Sequence, residues 1–189
     1  MTTDKKLIAA ASALLDAGGE DAVTLRAVGH AVGVSHNAPY KHFKDRSALL
    51  VAVAMVDFAM LTDAFCGIRQ SGAKPTTKLK RALKTVADYG RAHPARYRLL
   101  FSNADIAAQG GEIEQAAMMA FAEFAAIVKE CQSKQELPDA PSAALSGLIY
   151  ASMHGLLDLE ASGRMRPAKG LSSVGQSVDL LIQLFSPKA

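Results

Sequence analysis

Residues 24–50 read TLRAVGHAVGVSHNAPYKHFKDRSALL, and the order of caps, apolar positions and breakers in that run predicts two short helices set at an angle, with a third behind them. Thr24 is an N-cap residue type, its hydroxyl able to accept from a backbone N–H two or three residues on, and Leu25, Val28 and Val32 follow at helical spacing. Gly33 falls where the pattern stops, at a position where left-handed backbone is cheap for glycine, and Val34 can plug the angle between two helices. Ser35 is placed to cap the next helix. From Ser35 to Phe43, the side chains of Ser35, His36, Asn37, Tyr40, Lys41 and His42 can reach base edges or phosphates around a Phe43 suited to anchoring. The pattern is that of a DNA-binding helix-turn-helix with its recognition helix at 35–43. Pro39 restricts it, because proline lacks an amide proton and clashes with the preceding turn; the recognition helix must start near Asn37 or be distorted.

Four short elements here resemble the TetR family of bacterial transcriptional regulators. They are Thr24-Leu25-Arg26 opening the second helix, Gly33-Val34-Ser35 at the turn, Tyr40-Lys41-His42-Phe43 ending the third, and Arg46-Ser47-Ala48-Leu49-Leu50 opening the fourth. Asn37 stands where the family often has Gly, and Pro39 where it has an apolar residue. So many matches in order disfavour the plainer reading, a glycine turn between two core helices. The C-terminal half resembles one TetR subgroup through AHPARYRLLF (92–101) and Tyr150-Ala151-Ser152-Met153-His154-Gly155, where the subgroup has Trp at the place of Tyr150.

Working outward, half of the 189 residues are apolar, enough for a sizeable core. Abundant Ala and Leu, few β-branched runs and no Trp predict an all-α protein. The net charge of +3 is too small to diagnose a nucleic-acid partner, so its distribution matters. Residues 41–46 hold three cations against Asp45 alone, where a phosphate backbone would lie. Cys66 and Cys131 sit inside helical patterns and read as small buried hydrophobes rather than redox sensors, consistent with a reducing cytoplasm. Lys5 and Lys6 precede an amphipathic segment with no apolar core adequate for a signal peptide. Residues 140–157 carry no Asp, Glu, Lys or Arg and reach the length of a membrane span, but Pro141, Ser142, Ser146, Ser152 and His154 make the run a buried helix, with no membrane partner expected.

A first helix is expected over Lys5–Ala17, with Leu7, Ile8, Ala11, Leu14 and Leu15 on one face. It closes a three-helix DNA-binding unit over 1–46 whose small core must lean on later parts of the chain. The helix after Arg46 runs to about Phe65, apolar on most sides, and links that unit to a C-terminal domain over 47–189; Cys66–Pro75 is a loop. Helices follow at Thr76–Ala92, from Ala95, from Gly110 to about Gln132, at Ser142–Ser162 and at Leu171–Phe185. The fourth of these carries Leu145, Ile149, Ser152, Leu156 and Leu159 on one face and Gly147, Ala151 and Gly155 on another, small enough for a second helix to approach. From Arg69 to Arg98 there are nine cations and one anion, Asp88, read as a solvated surface before an anion site.

No nucleophile elbow, phosphate loop, His-Glu-x-x-His or Cys-x-x-Cys is present, so no enzyme, cofactor or metal is expected. His154 and Asp158, four apart on a helix, read as a structural pair rather than two metal ligands. The fold expected is a three-helix DNA-binding unit followed by a helical bundle for ligand binding and dimerisation. The resemblance implies a cytoplasmic, homodimeric, ligand-responsive regulator, a repressor released from a palindromic operator by an apolar small molecule. The DNA-contacting set is Thr24, Ser35, His36, Asn37, Tyr40, Lys41, His42, Lys44 and Arg46, with Asn37 and Lys41 on one helical face toward bases and Lys44 and Arg46 toward phosphates. Phe101, Met118, Phe121 and His154 are expected to line the effector pocket. A helical carrier or enzyme whose N-terminal unit is only a packing module is the alternative.

Overall fold

A computed structural model describes residues 2–35 and 37–186. Among them every regular element is helical: α1 Thr3–Gly18, α2 Leu25–Val32, α3 Arg46–Gln70, α4 Pro75–Ala92, α5 Pro94–Phe101, α6 Ala104–Ala107, α7 Gly111–Ser133, α8 Ser142–Ala161 and α9 Val174–Phe185. Short 3-10 turns stand at Glu20–Ala22, Pro39–Lys41 and Pro167–Lys169. The chain divides into two compact units, neither a single stretch: Met1–Met60 with His93–Ala117, and Leu61–Ala92 with Met118–Ala189.

In the first unit, Leu7, Ala11 and Leu15 recur along α1 at four-residue steps and are fully buried. Val23, Leu25 and Val28 join them, and α3 adds Leu49, Leu50, Val53, Ala54 and Phe58. Asp45 starts α3 by accepting from the Ala48 N–H at 2.8 Å. Pro94 takes the first position of α5, where a missing N–H costs nothing. α1 packs against both α2 and α5. The small N-terminal core is therefore completed from far along the chain, which the 1–46 stretch alone required.

In the second unit the buried apolar residues are Leu79, Ala82 and Leu83 of α4, Phe124, Ile127, Val128 and Cys131 of α7, Leu145, Ile149, Met153 and Leu157 of α8, and Val174, Val178 and Ile182 of α9, with α4, α8 and α9 packed on one another. Three expectations are corrected here. The stretch 66–70 is helix, not loop: Gly67 lies inside α3, whose end is held because buried Lys78 donates to the Arg69 carbonyl at 2.8 Å and to Glu130 Oε1 at 2.8 Å. The buried stripe of α8 passes through Met153 and Leu157, while Ser152, Leu156 and Leu159 instead line an open groove of about 710 Å³ beside α9. α9 begins at Val174 rather than Leu171, since Ser173 Oγ accepts from the Gln176 N–H at 3.2 Å and sets the cap.

The cation-rich run 69–98 proves largely paired with carboxylates distant in sequence. Within the second unit Arg69 meets Glu123 at 2.7 Å, Lys80 meets Asp179 at 2.6 Å, and Arg91 meets Glu160 at 2.9 Å. Burial pushes the Cys131 thiol up to about 12, with the Glu136 and Glu130 carboxylates adding to the shift. Cys66 is only half-buried on α3, its sulfur accepting from the Gln70 amide at 3.1 Å. α3 is the one described helix long and apolar enough to cross a bilayer, but Asp57 is buried on it.

Candidate nucleic-acid interface

Thr24 closes the start of α2, its Oγ1 accepting from the Ala27 N–H at 3.0 Å. Its own hydroxyl hydrogen stays available at an exposed position. The other end stops at Gly33 in the left-handed region, φ +74° and ψ +28°. There the Val34 N–H returns to the Gly29 carbonyl at 3.0 Å and the Gly33 N–H to the His30 carbonyl at 3.1 Å, a Schellman closure.

Beyond Val34 the chain departs from the expected recognition helix. Over the described part of Ser35–Phe43 no regular α-helix forms; a turn at 37–38 leads into the 3-10 turn Pro39–Lys41. The Ala38 N–H bonds to the Ser35 carbonyl at 2.9 Å, the Lys41 N–H to the Ala38 carbonyl at 3.2 Å, and the Phe43 N–H to the Pro39 carbonyl at 2.9 Å. An α-helix over 35–43 would need residue 39 to donate to residue 35, and proline has no N–H to do so. No side chain caps the Pro39–Lys41 turn, so Ser35 acts there through its carbonyl and not its hydroxyl. Nor do Asn37 and Lys41 share an α-helical face, because residues three apart, not four, align in 3-10 turns.

A contact with α2 fixes this geometry. Pro39 is buried, and a Cβ at Gly29 would lie 3.0 Å from its Cγ and 3.4 Å from its Cδ. Gly29 is thus the position that lets the proline ring seat on α2. Phe43 anchors the far end, 8% exposed. Between the two anchors Tyr40, Lys41 and His42 are exposed, as are Asn37 just before them and Lys44 just beyond, and Tyr40 is 57% exposed. His36 lies outside the described residues.

Arg46 turns back on its own unit. Its Nε donates to the Val23 carbonyl at 2.8 Å and its Nη2 to the Glu20 carbonyl at 2.5 Å, with Glu20 Oε2 at 3.8 Å. The guanidinium therefore ties the first turn of α3 to the turn before α2. Sequence reasoning could not find those partners, which are backbone oxygens more than twenty residues away.

The proposed ligand-lining residues fall into both units. In the first unit Phe101 stands edge-on to Phe58, centroids 5.8 Å apart, and beside Tyr97 at 4.9 Å. In the second unit Phe121 is edge-on to Tyr150 at 5.4 Å and Tyr150 lies against His154 at 4.1 Å. Burial lowers the His154 pKa to about 4, so its imidazole is neutral near pH 7, and burial raises the Tyr150 phenol. Met118 is 57% exposed on α7. Tyr150, which joins Phe121 to His154, was legible only as the residue in the place of a Trp. Among the described residues no group of three or more His, Cys, Asp or Glu could hold a metal ion.

Two family models match the chain: bacterial regulatory proteins of the tetR family over residues 7–53, and the tetracyclin repressor-like C-terminal domain over residues 79–185. A protein with unknown function from Rhodococcus sp. RHA1 has a similar structure, with TM-score 0.83, 25% identity, and coverage of 98% of this chain and 94% of that one. The TetR family transcriptional regulator PfmR from Thermus thermophilus aligns with TM-score 0.67 at 14% identity, covering 96% and 97%. The fatty acid degradation regulator FadR from Bacillus halodurans aligns with TM-score 0.75 at 12% identity, covering 98% and 95%. No curated protein sequence matches.

Proposed function

This chain belongs to the TetR family of bacterial regulatory proteins, and on that premise we propose that it is a homodimeric, cytoplasmic repressor released from a palindromic operator by an apolar small molecule. As a family member it is a ligand-responsive, DNA-binding transcriptional regulator, of a kind that generally acts by binding and not by catalysis. Residues 1–46 form its DNA-contacting part and the rest its ligand-binding and dimerisation part. The observation that carries the reading is the motif at Thr24–Phe43, anchored by Pro39 and Phe43, with Asn37, Tyr40, Lys41 and His42 exposed around the anchors.

Asn37 is the base reader in this proposal, its amide suited to adenine, and Tyr40 is exposed beside it in the chain. Thr24, Ser35, His36, Lys41, His42 and Lys44 position the duplex through phosphates or neighbouring base edges. Arg46 contributes mainly by holding the start of α3 in place. The effector site takes in Met118, Phe121 and His154 of the second unit, with neutral His154 orienting the ligand through one hydrogen bond, while Phe101 packs on Phe58 and Tyr97 within the first unit. Binding there biases α3 and alters the spacing of the two reading segments, which must enter major grooves about 34 Å apart.

A second copy of the chain is the partner for α8 and α9. Leu148, Leu180 and Leu184 are exposed, and a Cβ at Gly147 or Gly155 would meet nothing within 4 Å. The test is enrichment of bound duplexes from a random pool together with light scattering. A dimer that selects two half-sites related by two-fold symmetry is expected, and Ala151→Arg should give monomers that bind the selected site far more weakly. A wild-type monomer at micromolar concentration, or a pool with nothing enriched, would sink the proposal.

A further inference from the structure

The first unit contains a polar cluster that no step of DNA reading or effector binding uses. Asp57, on α3, is 1% exposed, and both its oxygens are bound by one guanidinium: Arg96 Nε donates to Oδ2 at 2.9 Å and Arg96 Nη2 donates to Oδ1. The remaining nitrogen, Nη1, reaches Asp16 Oδ2 on α1 at 3.3 Å. His93, at the residue before α5, meets the same Asp16 oxygen through Nδ1 at 2.8 Å. A carboxylate only accepts, so Nδ1 carries the proton in that contact.

Three helices thus meet on one side chain. A buried carboxylate is costly when unpaired, which fixes Arg96 against α3. Bidentate pairing fixes the plane of the fork, so the direction of Nη1 is set as well. Asp16 lies in the last turn of α1, where the helix dipole disfavours an anion. Its presence there does nothing for α1 alone and is compensated by Arg96 and His93. α1 in turn packs on α2, which carries the turn and seats Pro39.

The geometry points to Arg96 as a positioning residue for DNA binding: held by Asp57 on α3, it grips α1 through Asp16 and so fixes the orientation of the reading segment relative to α3. The inference rests on the DNA-binding reading above. Fixed orientation sets the half-site spacing a dimer accepts. Loosening α1 should therefore broaden the accepted spacing without removing any group that touches DNA.

The experiment uses the full chain and an operator enriched from a random duplex pool, compared with versions whose spacer is one base pair longer or shorter. Wild type should prefer the selected spacing by about tenfold or more. Asp16→Asn keeps shape and leaves the buried Arg96–Asp57 pair intact; it should retain helicity and the salt dependence on random duplex while losing most of the spacing preference. Arg96→Lys, whose single ammonium cannot serve both carboxylates in the same way, provides the second variant and should show the same loss. Wild-type spacing preference retained in a folded variant, equal weakening on operator and random duplex, or no spacing preference in the wild type overturns the inference. If the wild type binds neither random nor selected duplex, the DNA-binding reading itself fails.

Discussion

Thr24–Val34 closes itself with bonds between residues three to five apart, whereas the adjoining Ser35–Phe43 takes its shape from a proline ring seated on a residue ten positions back. The first half is specified by its own caps: Thr24 at one end and left-handed Gly33 at the other. The second is specified by packing, Pro39 against Gly29 and Phe43 into the core. A locally specified element should lose stability in small, separable steps when its signals are removed. An element specified by one contact should lose its shape, and with it DNA recognition, when that contact is blocked.

The largest effect comes from blocking it. Gly29→Val adds a branched side chain where even a Cβ sits 3.0 Å from Pro39. Overpacking of this kind costs about 1–3 kcal/mol, and here it falls on the reading segment. Operator affinity measured by fluorescence anisotropy should drop roughly a hundredfold, about 2.7 kcal/mol, while far-UV circular dichroism keeps most of its helical signal. Unchanged operator affinity would show that the Pro39 seat does not shape the reading surface.

Next in size is Gly33→Ala, which places a Cβ at φ +74°. The left-handed region costs a non-glycine residue roughly 1–2 kcal/mol, and a chain of this length should melt about 2–8 °C lower. The two halves separate in this experiment, since operator preference should survive in the fraction that remains folded.

Thr24→Ala should cost about 1 kcal/mol through the lost cap, and Thr24→Ser close to nothing. Thermal melts of the pair distinguish capping from mere exposure, because both variants alter an exposed side chain. Equal melting points for the two would overturn the assignment of the cap.

The smallest stability change is expected for Pro39→Ala, under about 1 kcal/mol, yet it sharpens the comparison most. Residue 39 regains an N–H, and the segment can then close an α-helical turn. Combined with Gly29→Ala it should remove most of whatever Gly29→Ala costs alone, a coupling that a double-mutant cycle reads directly. Additive effects would place the two residues out of contact.

What could be read from the sequence divides in the same way. Helices and their ends were legible wherever the signal was local: Leu7, Ala11 and Leu15 at four-residue steps, Thr24 and Gly33 as caps, and Pro94 opening α5. Pro39 was legible as a disturbance, but its seat was not, since nothing near it in sequence identifies Gly29. Arg46 and Arg96 were visible only as cations. Their partners, the Glu20 and Val23 carbonyls in one case and Asp57 and Asp16 in the other, become neighbours only through folding. Of the residues assigned to the effector, Phe121 and His154 do lie near each other, joined by Tyr150.

The two cysteines have a practical consequence. Only a thiolate reacts readily with maleimides and related reagents. Cys131, fully buried with its ionisation pushed up to about 12, is shielded both chemically and sterically near neutral pH. Cys66, half-buried near the end of α3, is left as the site of attachment. A fluorophore placed there would label the native chain at a single address, on the helix whose displacement is proposed to link effector to operator, and would follow that displacement in real time without any engineered residue.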